Sequence, residues 1–168
     1  MLTIPVAIQF QVMALTLLAA VLGAIIGLER QRLDKPAGTR TMALVSSASA
    51  LIVAIGAAGE HVAKFGDPSR ALQAVITGVG FLGAGTIMQG VVGDSKRTTG
   101  VTTAATVFST AAIGVTVGMG GPVVSIGATF IVLAVLRGGH YLDRYFNRVS
   151  NHLSPNAHNE GSEDYNGK

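Results

Sequence analysis

The chain has no cysteine, which excludes disulfides, thiol catalysis and cysteine metal sites. Charge is scarce as well: Asp, Glu, Lys and Arg together make up 12% of the 168 residues, against roughly 25% in an ordinary soluble domain. The charges that exist are clustered, with long stretches carrying none. None of the nine acidic residues falls in the middle of an apolar run, and no nucleophile has an ordered base near it in the pattern. The protein therefore reads as a non-enzyme without a cofactor. The four histidines (His61, His140, His152 and His158) stand apart and not at metal-ligand spacing.

Hydrophobic residues, 49% of the chain, fall into runs bordered by the charge clusters. That is the pattern of a polytopic membrane protein. The expected fold class is all-α, a membrane helix bundle over 1–136 with about five transmembrane helices. The spans read as about 10–28, 42–58, 71–92, 100–118 and 122–136. The last is short against the roughly 20 residues a span needs. Residues 137–153 read as an amphipathic helix lying at the interface. Leu142, Tyr145, Phe146, Val149 and Leu153 recur at helical spacing there, with Arg144 and Arg148 opposite. From 154 to 168 the chain is polar and reads as a disordered tail. No positive residue precedes the first run, so it reads as a retained helix and not a signal peptide. With five spans, ten of the twelve Lys and Arg share one side. The positive-inside rule makes that side cytoplasmic, giving an N-out, C-in topology. The net charge of +3 is thus a matter of topology. The lipid bilayer is the partner it implies, and nucleic acid is not.

The stretch 67–88, DPSRALQAVITGVGFLGAGTIM, is the chain's most glycine-marked run. Asp67 suits a helix cap and Pro68 the first helical position. Gly78 and Gly85 fall on one helical face, with Gly80 and Gly83 roughly opposite. Four glycines at about 1 kcal/mol each would cost a helix in water heavily. In lipid, small residues become contact surfaces, and two small faces predict a helix at the bundle's centre. Gly23 with Gly27, and Gly114 with Gly118, are further packing pairs. Gly78 to Gly83 also spell GxGxxG, but no strand precedes them, and Asp94 comes too soon to be the acidic partner of a dinucleotide fold.

Four stretches in order, GLERQ (27–31), KPAGTRT (35–41), DPSRALQAVITGVGFLGAGTI (67–87) and TTGVTTAAT (98–106), resemble the MgtC/SapB family of bacterial inner-membrane proteins. The resemblance covers about 10–136. Thr39 and Met42 stand where the family usually has Leu and His, and Val101 where it has Leu. The resemblance implies the shorter SapB-like form, an inner-membrane location, and a link to magnesium limitation and envelope stress, with Mg²⁺ as a ligand or substrate to consider. The role it implies is an accessory one in magnesium homeostasis, the alternative being cation transport.

The candidate functional residues are Glu29, Arg30, Arg40, Asp67, Arg70, Arg97, Thr102 and Thr103. Glu29 and Arg30 end the first run, where a snorkelling anchor pair is the plain reading. The sharper one has Glu29 pairing with Arg40 or Arg97 and clamping three helices. Asp67 and Arg70 read first as a helix cap and a first-turn residue; as a functional pair they make an outer-face site, with Asp67 a metal candidate. Thr99, Thr103, Thr106 and Thr110 share a helical face, with Thr102 at its edge, and suit interhelical hydrogen bonds more than a permeation path. Homo-oligomer formation or a partner membrane protein is expected.

Overall fold

The computed structural model describes residues 4–63, 68–92 and 95–153, except for the side chains of 60–63, 90–92, 95–97 and 140–153. The chain runs α1 (Val6–Arg32), α2 (Thr39–Ala63), α3 (Pro68–Thr86), β1 (Met88–Val92), β2 (Ser95–Thr99), α4 (Val101–Gly118) and α5 (Pro122–Leu153). Two compact units divide it, residues 1–133 and 134–168. The first is an all-α bundle with one hairpin set into it.

Four of these helices are long and apolar enough to cross a membrane: α1, α2 over Thr39–Gly59, α4, and α5 over Pro122–Gly139. Large apolar side chains on their outer faces, among them Phe10, Leu17, Leu44 and Phe130, are exposed as lipid-facing residues must be.

Apolar burial does little to hold helices together in lipid, so close backbone approach has to do it. Here Gly23 and Gly27 bring α1 onto α2. A Cβ on Gly23 would strike Met42 O and lie 2.8 Å from Ser46 Cβ; one on Gly27 would lie 2.5 Å from Thr39 Cα. Gly114 and Gly118 bring α4 onto α2 as well, where a Cβ would strike Ser46 O and lie 2.5 Å from Ala50 O, respectively. These pairings make α1 antiparallel to α2, and α4 parallel to it.

The stretch 67–88 takes a different place from the expected one. Its helix lies beside α4, which is the central element, and not at the bundle's centre. Val75, Val79 and Gly83 are its buried face, and Val75 and Val79 join Met42, Val53, Val107, Ala111 and Val115 in the core. Gly83 faces Ala104, its would-be Cβ 3.7 Å from Ala104 Cβ, whereas a Cβ at Gly78, Gly80 or Gly85 would meet nothing within 4 Å. At its start, Ala71 lies under Gly56 near the end of α2; at its end, Thr86 abuts Gly100 at the start of α4. So α3 runs the length of the bundle, antiparallel to α2 and α4.

The helix also stops at Thr86 rather than at Val92. An antiparallel hairpin succeeds it, with Met88 opposite Thr99 and Val92 opposite Ser95. The valines at 91 and 92 favour strand over helix. The register leaves Gly93-Asp94, a two-residue hairpin signal in the sequence, as the connection. A second difference is that α5 is one continuous helix, where a short span and a separate interfacial helix were expected. Gly138 and Gly139 cost it about 1 kcal/mol each, but no proline interrupts its backbone bonds. Asp67 and the 154–168 tail lie outside the described residues.

Gly114→Ala should therefore destabilise the protein in detergent by about 1–3 kcal/mol, the usual overpacking range. Within a single copy of the chain, Gly85→Ala should be neutral or stabilising by up to about 1 kcal/mol. Paired thermal unfolding curves check this; equal midpoints for Gly114→Ala and wild type would contradict the packing.

Candidate functional site

Three of the sequence motifs meet at one end of the bundle. In the last turn of α1, the Arg30 carbonyl accepts from the Leu33 N–H at 3.2 Å and the Lys35 N–H at 3.1 Å. Asp34 and Ala37 take positive φ values of 49° and 59°, which turns the chain sharply back. Gly38 and Thr39 then sit against Gly27, and the Thr39 hydroxyl donates to Gln31 Oε1 at 2.8 Å. The TTG stretch enters from the hairpin. Gly100 has φ +87°, and a Cβ there would overlap Thr86 O, so only glycine fits beneath the end of α3.

Between these turns the Arg30 side chain crosses the bundle. Only 4% of it is exposed, and its Nη2 donates to Thr103 Oγ1 at 2.7 Å. It is thus no snorkelling anchor but a buried strut from α1 to α4. Its signal in the sequence was periodicity: Gly23, Ile26, Gly27 and Arg30 are all buried on one face of α1, so Arg30 continues the packing stripe.

Deeper in, hydroxyls line the seam between α2 and α4. Thr106 donates to Thr102 O at 2.7 Å and Thr110 to Thr106 O at 2.8 Å, with Met42 Sδ 3.4 Å from the Thr110 oxygen. Met42 is fully buried, and its thioether is a weak acceptor where an imidazole would be a strong one. Ser49 donates to Val45 O at 2.7 Å. Among the described residues two buried side-chain polar atoms have no partner, Arg30 Nε and Ser46 Oγ.

The other candidates are spread out. Glu29 is half-buried and engaged in an interaction of its own, Arg40 is exposed, and Arg70 is exposed and likewise engaged. Thr102 is exposed while Thr103 is buried. Arg97 pairs through β2 with Gly90; its side chain, like Asp67, lies outside the described residues. Arg30 itself ties α1 to α4 through Thr103. At the other end of α1, α2 and α4, a cavity of about 250 Å³ open on one side is lined by apolar groups and Gln11.

A glycine-packed bundle of long, apolar helices with apolar outer faces defines a multi-pass membrane protein. The chain belongs to the MgtC family, whose profile matches residues 16–145. It is accordingly a multi-pass protein of the inner membrane. It is 43% identical over 135 residues to Protein SrpB of Synechococcus elongatus, covering 76% of this chain and 74% of that one. It is 39% identical over 133 residues to the putative magnesium transporter YhiD of Escherichia coli K12, covering 75% of this chain and 59% of that one. With Protein MgtC of Salmonella typhimurium it shares 39% identity over 120 residues, 71% of this chain and 48% of that one. It thus spans only about half the length of the last two. No solved structure matches.

Thr103→Val leaves the buried guanidinium without its acceptor and should cost about 3 kcal/mol or more. The double variant Arg30→Met/Thr103→Val should recover part of that loss. A double-mutant cycle of unfolding free energies checks the coupling, expected at about 1.5–3 kcal/mol; additive losses would mean that the two residues do not act together.

Proposed function

We propose that the protein is an accessory factor in magnesium homeostasis or envelope-stress adaptation, and that its charged end is the working surface for membrane partners. The observation carrying this reading is where accessible chemistry lies. The α1–α2 and α2–α4 seams are closed by backbone contact at Gly23, Gly27, Gly114 and Gly118. The exposed basic residues Arg32, Lys35 and Arg40 gather at the Arg30 end.

The second reading is cation transport, favoured by the buried hydroxyls Thr103, Thr106, Thr110, Ser46 and Ser49 along one seam and by the name of the YhiD relative. Mg²⁺ sheds its water reluctantly and favours carboxylates, and a seam of backbone contacts offers a hydrated ion little room. The accessory role is preferred. Assembly as a homo-oligomer or with another membrane protein is part of the proposal. The outer face of α3, where Gly78, Gly80 and Gly85 have nothing of this chain within 4 Å, is a surface suited to it.

Five crossings with N-out, C-in topology complete the reading. Its support is geometric: α3 starts beside the end of α2 and finishes beside the start of α4, so the chain returns across the bundle between them. An impermeant thiol reagent applied to intact cells should label a cysteine placed at Lys64 and spare one placed at Lys35; the reverse pattern would invert the topology.

For mechanism, Arg40→Ala should abolish complementation of a deletion strain under magnesium limitation at matched membrane abundance. Asp67→Asn should complement, since Asn caps a helix about as well as Asp. Loss with Asp67→Asn alone would move the assignment to cation capture at the outer mouth.

A further inference from the structure

The packing stripe of α1 runs on past the contacts it makes. Ile8, Val12, Leu15, Ala19, Leu22 and Ile26 recur at alternate spacings of four and three, so they share one face of the helix. The last three are buried, the first three only half-buried, and no described residue of α1 before Ala19 is buried. Glycine explains the change. Gly23 and Gly27 draw the second half of α1 onto the backbone of α2, and no glycine precedes them in the helix. Beside the first half, α2 offers the methyl groups of Ala54, Ala57 and Ala58, and α4 ends in Gly118. Side chains this short do not close the gap, and what is left is the cavity of about 250 Å³.

Its walls decide what it accepts. A water held there needs about two to four polar partners, and Gln11 is the single polar side chain lining it. A second helix is about 10 Å across, too wide to enter. An apolar cavity of about 150 Å³ takes benzene, so in proportion this one takes roughly ten carbons of an alkyl chain. The stripe from Ile8 to Leu15 gives such a chain a wall about 10 Å long. Enclosed by α1, α2 and α4, it meets protein atoms on several sides, where a lipid against an outer helix face meets them on one.

We propose that this cavity binds one alkyl chain of a membrane phospholipid, held as a packing element between α1 and the α2–α4 pair. The three helices that line it are all long and apolar enough to cross a membrane, so the bilayer's own lipids are the occupant the setting supplies. Gln11 is exposed, and its amide offers hydrogen bonds to the ester group that heads such a chain. Both leaflets carry phospholipid, so the inference stands apart from the proposed topology and accessory role.

The test is photocrosslinking of the full-length protein in liposomes of phosphatidylethanolamine and phosphatidylglycerol that contain a phosphatidylethanolamine with a diazirine in one acyl chain. Adducts mapped by mass spectrometry should concentrate on Val12, Leu15, Ala57 and Met119 and should saturate as the labelled lipid is raised. Native mass spectrometry of the detergent-purified protein should show a retained phospholipid. Ala57→Leu fills the cavity and should lose both the retained lipid and those adducts. Its unfolding midpoint after lipid is stripped should equal or exceed that of wild type, because the added side chain replaces the missing one. Ala14→Leu makes the same change at an exposed position of α1 and should behave like wild type. If Ala57→Leu does not fold, the wild-type adduct map decides alone. Adducts spread over lipid-facing residues such as Phe10, Leu17 and Phe130 would overturn the proposal. So would lipid retained undiminished by folded Ala57→Leu, or no retained lipid in wild type, the cavity then being covered by protein.

Discussion

The bundle depends on the crossing of three helices at Ser46. Gly23 of α1 comes against its Cβ, and Gly114 of α4 comes against its backbone oxygen. In a bilayer, helices gain little from hiding apolar side chains from one another, because lipid tails are just as apolar. Their arrangement is fixed by how near the backbones can come, and a bulky residue at 23, 46 or 114 would push that limit outward. One turn along, Gly27 against Thr39 and Gly118 against Ala50 repeat the contact. Two contacts a turn apart with each of these neighbours of α2 set direction as well as distance. The antiparallel α1 and parallel α4 result from them.

The polar end rests on that frame. Burying a guanidinium costs several kcal/mol unless partners offset it, so Arg30 is tolerated only where its surroundings are tightly determined. Gly27, three residues earlier, lets the turn at 33–38 close over the end of α1, and Gly100 lets the hairpin close over the start of α4. Between the two closures Arg30 meets Thr103 at 2.7 Å, across 73 residues of sequence. An apolar contact would tolerate sliding of α4 along α1 by part of a turn; this bond would not. The same residue thus sets the register and supplies the charge at the end of the bundle.

Much of this was legible because membrane helices advertise themselves by composition. The apolar runs, the charge clusters and the four family-like stretches identify the class from residue types alone. The Gly23/Gly27 and Gly114/Gly118 spacings mark faces that the structure places in contact. Arg30 was harder to read, since a charge at a helix end has a plain role as an anchor, and only its phase with Gly23, Ile26 and Gly27 separates a buried strut from one. The hairpin at 88–99 was hidden because its valines also extend an apolar run; only Gly93-Asp94 argued for a turn. The glycines of α3 misled most. Spacing shows that small residues share a face, but not whether that face meets a helix of the same chain.

That last point bears on assembly. With 19 residues, α3 is about 28 Å long at 1.5 Å per residue, close to the thickness of the hydrocarbon core. Its position beside α2 and α4 carries it the length of the bundle, yet it is not among the helices apolar enough to cross a membrane on composition alone. Its exposed side includes Gln73, Thr77, Gly78, Gly80, Ala84 and Gly85. A glutamine amide facing lipid lacks partners, and glycines facing lipid cost helix stability without gaining contacts. Another helix laid along that side would meet both demands, approaching closely at the glycines and offering polar groups to Gln73. An exposed face that carries a glutamine and bare glycines beside the apolar Phe81 is therefore the physical reason to place assembly within the proposed function.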